Sequence, residues 1–168
     1  MKKIILLAAA LLLSAQANAA TVNLDSRTST ATSLWLSAGN YTVTPIKDDY
    51  TAWNAWGKTT DCNGMGMECA KGWINNYSIT TPTETIFTSN AVKYRDAALA
   101  LTYALSTSFT LAIAGSVDFF IGDIQYKDNI GGMSLNVSKV PVPAAAFLFA
   151  PALLGFLGLR RKAKNLVA

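Results

Sequence analysis

Between residues 20 and 139 hydrophobic and polar residues alternate in short runs, whereas each end of the chain carries an uninterrupted apolar run. Alternation with a period of two, rich in β-branched and aromatic residues, predicts half-buried β-strands. Six stretches carry candidate strands of this kind: residues 20–27, 32–46, 74–80, 91–105, 107–123 and 131–140. Short strands separated by turn residues are typical of an antiparallel sandwich. We therefore predict one all-β domain, an antiparallel β-sandwich, over residues 20–138.

Two of these stretches make more specific predictions. In residues 32–46, Leu34 and Leu36 precede a turn at 38–40, and Tyr41 and Val43 follow it at the same period, which predicts a β-hairpin. In residues 98–103, alanine and threonine alternate with Leu99, Leu101 and Tyr103, which favours a strand. A short helix is the alternative there, because alanine and leucine have high helix propensity.

Residues 50–73 show no sustained period and are rich in Gly, Asn and Trp, so we expect a long ordered loop. We expect this loop to be held in place by Trp53, Trp56 and Trp73. Cys62 and Cys69 are the two cysteines of the chain, and in an oxidising compartment an even count predicts a disulfide. A zinc site fails on ligand count, since the chain has no histidine and two thiols.

The N-terminal run has the three-part layout of a secretory signal peptide. Lys2 and Lys3 precede about ten apolar residues, which is shorter than the roughly 20 that a membrane span needs. Ala17 and Ala19 then stand at the −3 and −1 positions of an A-x-A cleavage site. We predict a signal peptide over residues 1–19, removed by signal peptidase after Ala19.

The C-terminal run, Val140 to Leu159, has no charged residue and is long enough to cross a bilayer. It predicts a sorting tail over residues 139–168 with a transmembrane helix at 142–159. A basic cluster follows at once and should remain on the cytoplasmic side, leaving the preceding domain outside: Arg160, Arg161, Lys162 and Lys164.

The stretch VPVPAAAFLFAPALLGFLGLRRK resembles the PEP-CTERM sorting tail, in its V-P-x-P-A-A variant, of exopolysaccharide-producing Gram-negative bacteria. The resemblance implies that an integral-membrane exosortase recognises the signature and that the helix anchors the protein temporarily at the inner membrane. It further implies delivery to the cell surface or extracellular matrix. Two near-adjacent prolines agree with this, since they keep a segment extended and open to a processing enzyme. The implied signature is Pro141, Val142, Pro143, Ala144 and Ala145.

The distribution of charge and the residue types present exclude several classes of function. Of the 14 Lys and Arg residues, two lie in the signal peptide and four in the basic cluster after residue 159, whereas all 10 acidic residues lie between 20 and 139. The central domain therefore has a formal charge of about −2 and no basic stripe for nucleic acid. Without histidine, Ser-His-Asp and Cys-His centres are excluded. Carboxylates such as Asp48, Asp49, Asp118 and Asp123 leave a secreted glycoside hydrolase as a weak alternative, and we predict that the protein is not an enzyme.

One loop carries candidate metal ligands. Residues 119–137 read as a hydrophobic strand, a polar loop with Asp123, Asp128 and Asn129, and an alternating strand that begins with Gly131 and Gly132. Calcium takes several oxygen ligands from carboxylates, amides and main-chain carbonyls. The alternative is an ordinary turn, because Asp, Asn and Gly are also the residues that turns use.

The same residues carry a second resemblance. The order Y-T-A-W-N-A-W-G, then C…C, then D-x-x-Y-x-D-N-x-G-G-x-S-L-N-V is similar to the calcium-dependent galactophilic lectins of bacteria, which are small β-sandwiches. The resemblance implies a lectin-like or jelly-roll fold with Asp123, Asp128 and Asn129 as calcium ligands and a main-chain carbonyl near Tyr50 as another. The chain departs from that pattern in a loop about two residues shorter and in Asp128, which replaces an amide.

If sugar binds, the resemblance implies that two vicinal hydroxyls complete the calcium shell and that a tryptophan face packs on the ring. Trp53 and Trp56 are the candidates, with core packing as their alternative and as the expectation for Trp73. We therefore expect an exported sandwich that binds calcium and carbohydrate, such as the exopolysaccharide of its own cell. The alternative is a structural matrix component in which calcium only stiffens the loop.

Overall fold

The computed structural model describes residues 19–141, which form two antiparallel sheets packed face to face. Ten strands and one helix follow in chain order: β1 (Ala19–Asp25), β2 (Thr32–Leu36), β3 (Gly39–Ile46), β4 (Trp53–Asn54), β5 (Trp73–Ile74), β6 (Tyr77–Thr80), β7 (Thr85–Thr88), α1 (Ala97–Thr102), β8 (Thr107–Leu111), β9 (Gly115–Phe120) and β10 (Ile130–Lys139). A 3₁₀ turn at Tyr126–Asp128 precedes β10. The prediction of an all-β sandwich is confirmed for these residues.

Strand β10 organises the larger sheet. Along one edge it pairs with β1, from Ala19 opposite Ser138 to Asp25 opposite Gly132. It also pairs with β3 over residues 134–139 and with β4 at residues 130–131, while β5 and β8 extend the sheet at its two edges. The smaller sheet has the order β2-β9-β6-β7. Together these pairings place both ends of β10 at the ends of the sandwich.

The core lies between the two sheets and follows the alternation in the sequence. In β1, β3, β8 and β9 the inward-facing side chains are buried and their neighbours along the strand are more exposed. β6 and β10 also bury consecutive residues, among them Ser78 and Ser134. Burial of alternate apolar residues on one face is what stabilises an antiparallel sandwich. The buried strand residues include Val22, Leu24, Val43, Ile79, Phe109, Val117, Phe119, Met133, Leu135 and Val137.

The predicted hairpin at 32–46 is wrong in its pairing. Strand β2 pairs with β9 in the smaller sheet, and β3 pairs with β10 and β8 in the larger one. The link between Leu36 and Gly39 therefore carries the chain from one sheet to the other. Leu34 and Tyr41 still pack against the same core, from opposite sides. Alternation identified the inward-facing positions, but it carries no information about which strand is the partner.

The predicted strand at 98–103 is also wrong, because α1 occupies Ala97–Thr102. Asp96 caps this helix: its side chain accepts a hydrogen bond of 2.8 Å from the main-chain N–H of Leu99. A carboxylate N-cap satisfies an otherwise unpaired donor of the first turn. The cap and the helix propensity of alanine and leucine outweigh a short alternation, and Ala100 is the residue that α1 buries.

The predictions for the two ends fall largely outside the described residues. The signal peptide lies there except for Ala19, and the tail lies there except for residues 139–141. Within residues 19–141, no helix is both long enough and apolar enough to span a membrane.

Candidate functional site

Loops gather where β1, β3 and β9 end and β10 begins, and we call residues 26–29, 47–52 and 121–129 the loop end of the sandwich. Ser26 ties two of these loops together. It is fully buried, and both its main-chain N–H and its hydroxyl donate to the carbonyl of Gly131, at 3.2 and 2.8 Å. The loop after β1 is thereby fixed against the start of β10, the segment that carries the predicted ligands.

Glycine at 131 and 132 allows this close packing. Gly131 has a φ of 78°, which glycine adopts without the steric penalty of a side chain. A Cβ at Gly131 would collide with the carbonyl of Ala52, and one at Gly132 would collide with the carbonyl of Leu24. The backbones of neighbouring segments therefore approach β10 closely at the loop end.

Asn129 is the predicted ligand with the most unusual environment. It is 2% exposed, and its amide Nδ2 donates a hydrogen bond of 2.7 Å to the carbonyl of Ser26. Its Oδ1 is buried and has no hydrogen-bond partner within residues 19–141. A buried polar atom without a partner is destabilising by about 1–3 kcal/mol, so this oxygen is one that a bound cation would satisfy.

Asp128 lies next to Asn129 with its side chain on the surface. Its carbonyl accepts a hydrogen bond of 2.9 Å from the N–H of Gly57, which joins the 3₁₀ turn to the loop after β4. The main chain of Asp128 is thus held in place while its carboxylate remains open to solvent. An exposed carboxylate beside a buried amide oxygen is a suitable combination for a hard cation.

Asp123 belongs to the same loop but is engaged locally. Its Oδ1 accepts a hydrogen bond of 2.7 Å from the N–H of Ile124, and the hydroxyl of Tyr126 accepts one of 3.4 Å from the N–H of Asp123. These bonds fold the loop back on itself before the 3₁₀ turn. The second carboxylate oxygen of Asp123 remains as a potential ligand.

Tyr50, predicted to offer its main-chain carbonyl, lies in the loop after β3. Its N–H donates a hydrogen bond of 2.9 Å to the hydroxyl of Ser134, and its carbonyl accepts one of 3.2 Å from the N–H of Asp48. Its ring lies where a side chain on Gly132 would be. The carbonyl already accepts one hydrogen bond, and its second lone pair is what a metal would require.

The electrostatics of the loop end are dominated by an ion pair beside Tyr50. Arg27 contacts Asp25 through two guanidinium nitrogens, the shorter bond being 2.6 Å. The hydrogen bond from Arg27 holds the pKa of Asp25 below its ordinary value, and the hydrogen bond to Asp25 in turn raises the pKa of Arg27. Asp25 is therefore neutralised by Arg27, which leaves Asp123 and Asp128 as the carboxylates of the predicted site.

The described residues do not bring the wider set of acidic residues together. Within residues 19–141, no three Cys, His, Asp or Glu side chains cluster as metal ligands would. Asp48 and Asp49 both accept hydrogen bonds from Asn23, while Asp118 lies on β9 of the other sheet and accepts one from Ser33. A metal at the loop end would accordingly depend on amide and main-chain oxygens as well as on the two carboxylates.

The tryptophans divide into different environments. Trp53 is 2% exposed, and its indole N–H donates 3.0 Å to the side-chain oxygen of Asn76, so the prediction that it packs on a sugar is wrong. Its place in β4, against the start of β10, puts the ring in the core. Trp73 packs against the core as expected. Trp56 is half-buried, with Lys93 Nζ 4.9 Å from its ring centroid, and its sugar contact stays a prediction.

The predicted disulfide between Cys62 and Cys69 is confirmed. Its loop is docked on the segment before α1, because the N–H of Cys69 donates to the carbonyl of Lys93 and the N–H of Arg95 donates to the carbonyl of Gly66. The long loop between β4 and β5 is therefore held by covalent and main-chain contacts.

Sequence reasoning missed a cleft at the loop end whose lining reaches Lys127, two residues before Asn129. It has a volume of about 630 Å³ and lies between the loop after β1 and the loop before β10. Its lining combines cationic, hydroxyl, amide and aromatic side chains: Arg27, Thr28, Ser29, Ile124, Gln125, Tyr126 and Lys127. The available signal was weak, because residues 27–30 read as a plain polar turn in the sequence.

Comparison with known proteins gives one similarity of fold. No protein-family model matches the chain, and no curated protein matches it. Among solved structures, the chain is similar to one described as the EclA N-terminal domain, a PllA-like lectin. The two are 20% identical, the match covers 71% of this chain and 95% of that chain, and the TM-score is 0.41. A function for this chain must therefore be inferred from its own residues.

Proposed function

We propose that the loop end of the sandwich binds a calcium ion and, beside it, a carbohydrate. The observation that carries the proposal is the buried Oδ1 of Asn129, which has no partner within the described residues and follows directly on the surface carboxylate of Asp128. A bound cation would convert this unfavourable oxygen into a favourable ligand.

The available oxygens suit calcium in kind. Asn129 offers an amide oxygen, Asp123 and Asp128 offer carboxylates, and the carbonyl of Tyr50 is the further ligand proposed from the loop after β3. Carboxylate, amide and main-chain oxygens are the ligands of hard cations, whereas zinc prefers nitrogen and sulfur. When bound, the calcium ion would be able to coordinate sugar hydroxyls.

The cleft of about 630 Å³ is the proposed carbohydrate site. Its volume lies in the range of small-molecule pockets. The half-buried ring of Tyr126 offers an aromatic surface, and Arg27, Thr28 and Gln125 offer hydrogen-bonding groups along the wall. The hydrogen bond from Asn129 to Ser26 joins the two loops that form the cleft, so metal and sugar would be held by one framework.

A glycan array probed with the protein, with and without a calcium chelator, tests this proposal. We expect glycans to be retained with calcium and lost with chelator. Tyr126→Ala should lose glycan retention while calcium still raises the melting temperature. The matched control Phe87→Ala removes an exposed aromatic ring from β7, on the other sheet, and should keep both properties.

Two results would contradict the carbohydrate part of the proposal. Thermal stabilisation by calcium with no glycan signal would indicate a structural matrix component in which calcium stiffens the loop end. Glycan retention that survives chelation would indicate a sugar site independent of the metal.

The proposed place of action is outside the cell, at the surface or in the extracellular matrix, where the polysaccharide of the cell itself would be a ligand. The disulfide between Cys62 and Cys69 supports an oxidising destination. Mass spectrometry of the surface form tests the sorting proposal in a strain that has an exosortase. Recovery of an intact tail over residues 144–168 would contradict exosortase processing.

A further inference from the structure

The end of the sandwich opposite the loop end has a surface of its own. Here β2 passes to β3 over residues 36–39, β8 passes to β9 over residues 111–115, and β10 finishes at Lys139. The pairings of Gly39 with Leu111 and of Leu36 with Gly115 place these two links side by side. The N–H of Val140 then donates 2.8 Å to the carbonyl of Asn40, so the chain leaves the sandwich at this end. We call residues 35–40, 111–115 and 139–140 the exit end.

The exit end exposes large apolar side chains. Trp35 is 76% exposed on β2, Ile113 is 75% exposed at the tip of the β8–β9 link, and Val140 is 44% exposed. Ala112 and Ala114, which flank Ile113, are exposed as well. Single exposed apolar residues are ordinary, but a group of them at one end indicates a contact surface.

A cationic cleft lies within the same surface. It has a volume of about 340 Å³ and is lined by Trp35, Leu36, Ser37, Tyr41 and Lys139. Lys139 Nζ donates a hydrogen bond of 2.8 Å to the hydroxyl of Ser37, and the hydroxyl of Tyr41 donates one of 2.8 Å to the carbonyl of Ser37. The cleft therefore offers an ammonium group and two hydroxyls beside an exposed indole.

Charge is distributed unevenly between the two ends. Half of the acidic residues lie at or beside the loop end, where β1 and β3 finish and β10 begins: Asp25, Asp48, Asp49, Asp123 and Asp128. Arg27, Lys47 and Lys127 lie there as well, so this end has a formal charge of about −2. At the exit end, Lys139 is accompanied by Glu84 in the β6–β7 turn, whose neighbour Pro82 lies close to Gly115. An anionic surface would accordingly meet less repulsion at the exit end than at the loop end.

We propose that the exit end rests on the surface of a bilayer that contains anionic phospholipids, with the loop end directed away from it. Tryptophan is favoured at the boundary between headgroups and acyl chains, where its amphipathic ring suits both. A lysine near the surface is attracted to anionic lipid. The uncharged sequence from residue 142 to 159, where a membrane span is predicted, begins one residue after Pro141.

This inference requires neither calcium nor carbohydrate to bind, and it rests on the predicted membrane anchor of residues 142–159. It concerns how the sandwich would be presented during the time that its tail is anchored. Oriented in this way, the loop end with its cleft would be directed away from the membrane.

Tryptophan fluorescence tests the orientation directly, because all four tryptophans lie between residues 35 and 73. The full chain is reconstituted in nanodiscs of phosphatidylethanolamine and phosphatidylglycerol, with acyl chains brominated near the headgroup in a parallel sample. Bromine quenches indole on contact. We expect quenching in wild type and loss of most of it in Trp35→Phe. The matched control Trp56→Phe removes a half-buried indole next to Gly57, whose N–H donates to the carbonyl of Asp128 at the loop end, and should retain the quenching.

A charge pair of variants adds a second readout. Lys139→Gln should reduce quenching and its sensitivity to salt, whereas Lys47→Gln, just after β3 at the loop end, should match wild type. Thermal melting of each variant distinguishes loss of contact from loss of fold.

Several outcomes would overturn the inference. They are an absence of quenching in the folded wild-type chain, undiminished quenching in Trp35→Phe, and loss of quenching in Trp56→Phe. Shielding of Trp35 that grows with protein concentration and shows no bromine quenching would assign the surface to a second copy. Protection of Trp35 from a soluble quencher in the absence of lipid, lost on removal of residues 142–168, would assign the surface to the tail of the chain itself.

Discussion

The amide nitrogen of Asn129 donates a hydrogen bond of 2.7 Å to the carbonyl of Ser26, joining residues that are 103 positions apart in the sequence. The same contact leaves the amide oxygen of Asn129 buried and without a partner in the described part of the chain. The contact between the loop after β1 and the start of β10 therefore also fixes the burial of the Asn129 amide oxygen at the loop end. The proposed metal site depends on that coupling.

Ser26→Ala tests the contact between the loop after β1 and the start of β10. The hydroxyl of Ser26 is buried and donates to the carbonyl of Gly131, so its removal should lower the free energy of unfolding by about 1 kcal/mol. The matched control Ser29→Ala, an exposed serine of the same loop, should change it by less than about 0.5 kcal/mol. Urea denaturation measures both, and equal effects of the two variants would refute the structural role of Ser26.

Asp96→Ala tests the cap of α1. Loss of the cap should lower the free energy of unfolding by about 1 kcal/mol at neutral pH, and Asp96→Asn should remain close to wild type. The N–H of Leu99 holds the pKa of Asp96 below its ordinary value of 3.8. A lowered pKa stabilises the fold above the ordinary value, and this contribution is lost as the pH falls through the folded-state pKa. The Asp96→Ala difference should therefore shrink on acidification; a difference independent of pH would argue against the cap.

Tyr77 makes a prediction at alkaline pH. Its hydroxyl donates 2.9 Å to the carbonyl of Leu105, and burial raises its pKa to about 12. A raised pKa means that the folded state keeps its proton where the unfolded state loses it, so stability is present below about pH 10 and is lost between about pH 10 and 12. Wild type should lose up to about 1.4 kcal/mol per pH unit more than Tyr77→Phe in this window. Parallel curves of unfolding free energy against pH would show that Tyr77 is not the responsible group.

Replacement of Cys62 and Cys69 by serine should lower the free energy of unfolding by about 2.5 kcal/mol, as expected for a loop of this size. Reductant should destabilise wild type to a similar extent and leave the double variant unchanged. A double variant as stable as oxidised wild type would mean that the main-chain contacts with Lys93 and Arg95 hold the loop without the covalent link.

Period-two alternation was sufficient to predict the sandwich, because it reports which side chains face the core. It could not predict strand pairing, since Leu36 and Gly39 are consistent both with a hairpin and with a link between sheets. The error at α1 has a different cause: one carboxylate, that of Asp96, decides between strand and helix. Turn residues identified the loop end, but the burial of Asn129 depends on Ser26, which is distant in sequence. Likewise, Trp53 is buried because β4 pairs with the start of β10, and its local sequence does not show this.

Calcium titration of thermal stability, comparing Asn129→Leu with Asn75→Leu, tests the central claim most directly. Asn75 is the matched control because it also buries an amide oxygen without a partner in the described residues, and its Nδ2 likewise donates to a carbonyl, that of Ala100. At about 100 times its Kd, calcium should stabilise wild type and Asn75→Leu by about 2.7 kcal/mol and leave Asn129→Leu unchanged. An equal calcium effect in Asn129→Leu and wild type, or no calcium effect in wild type, would contradict the account.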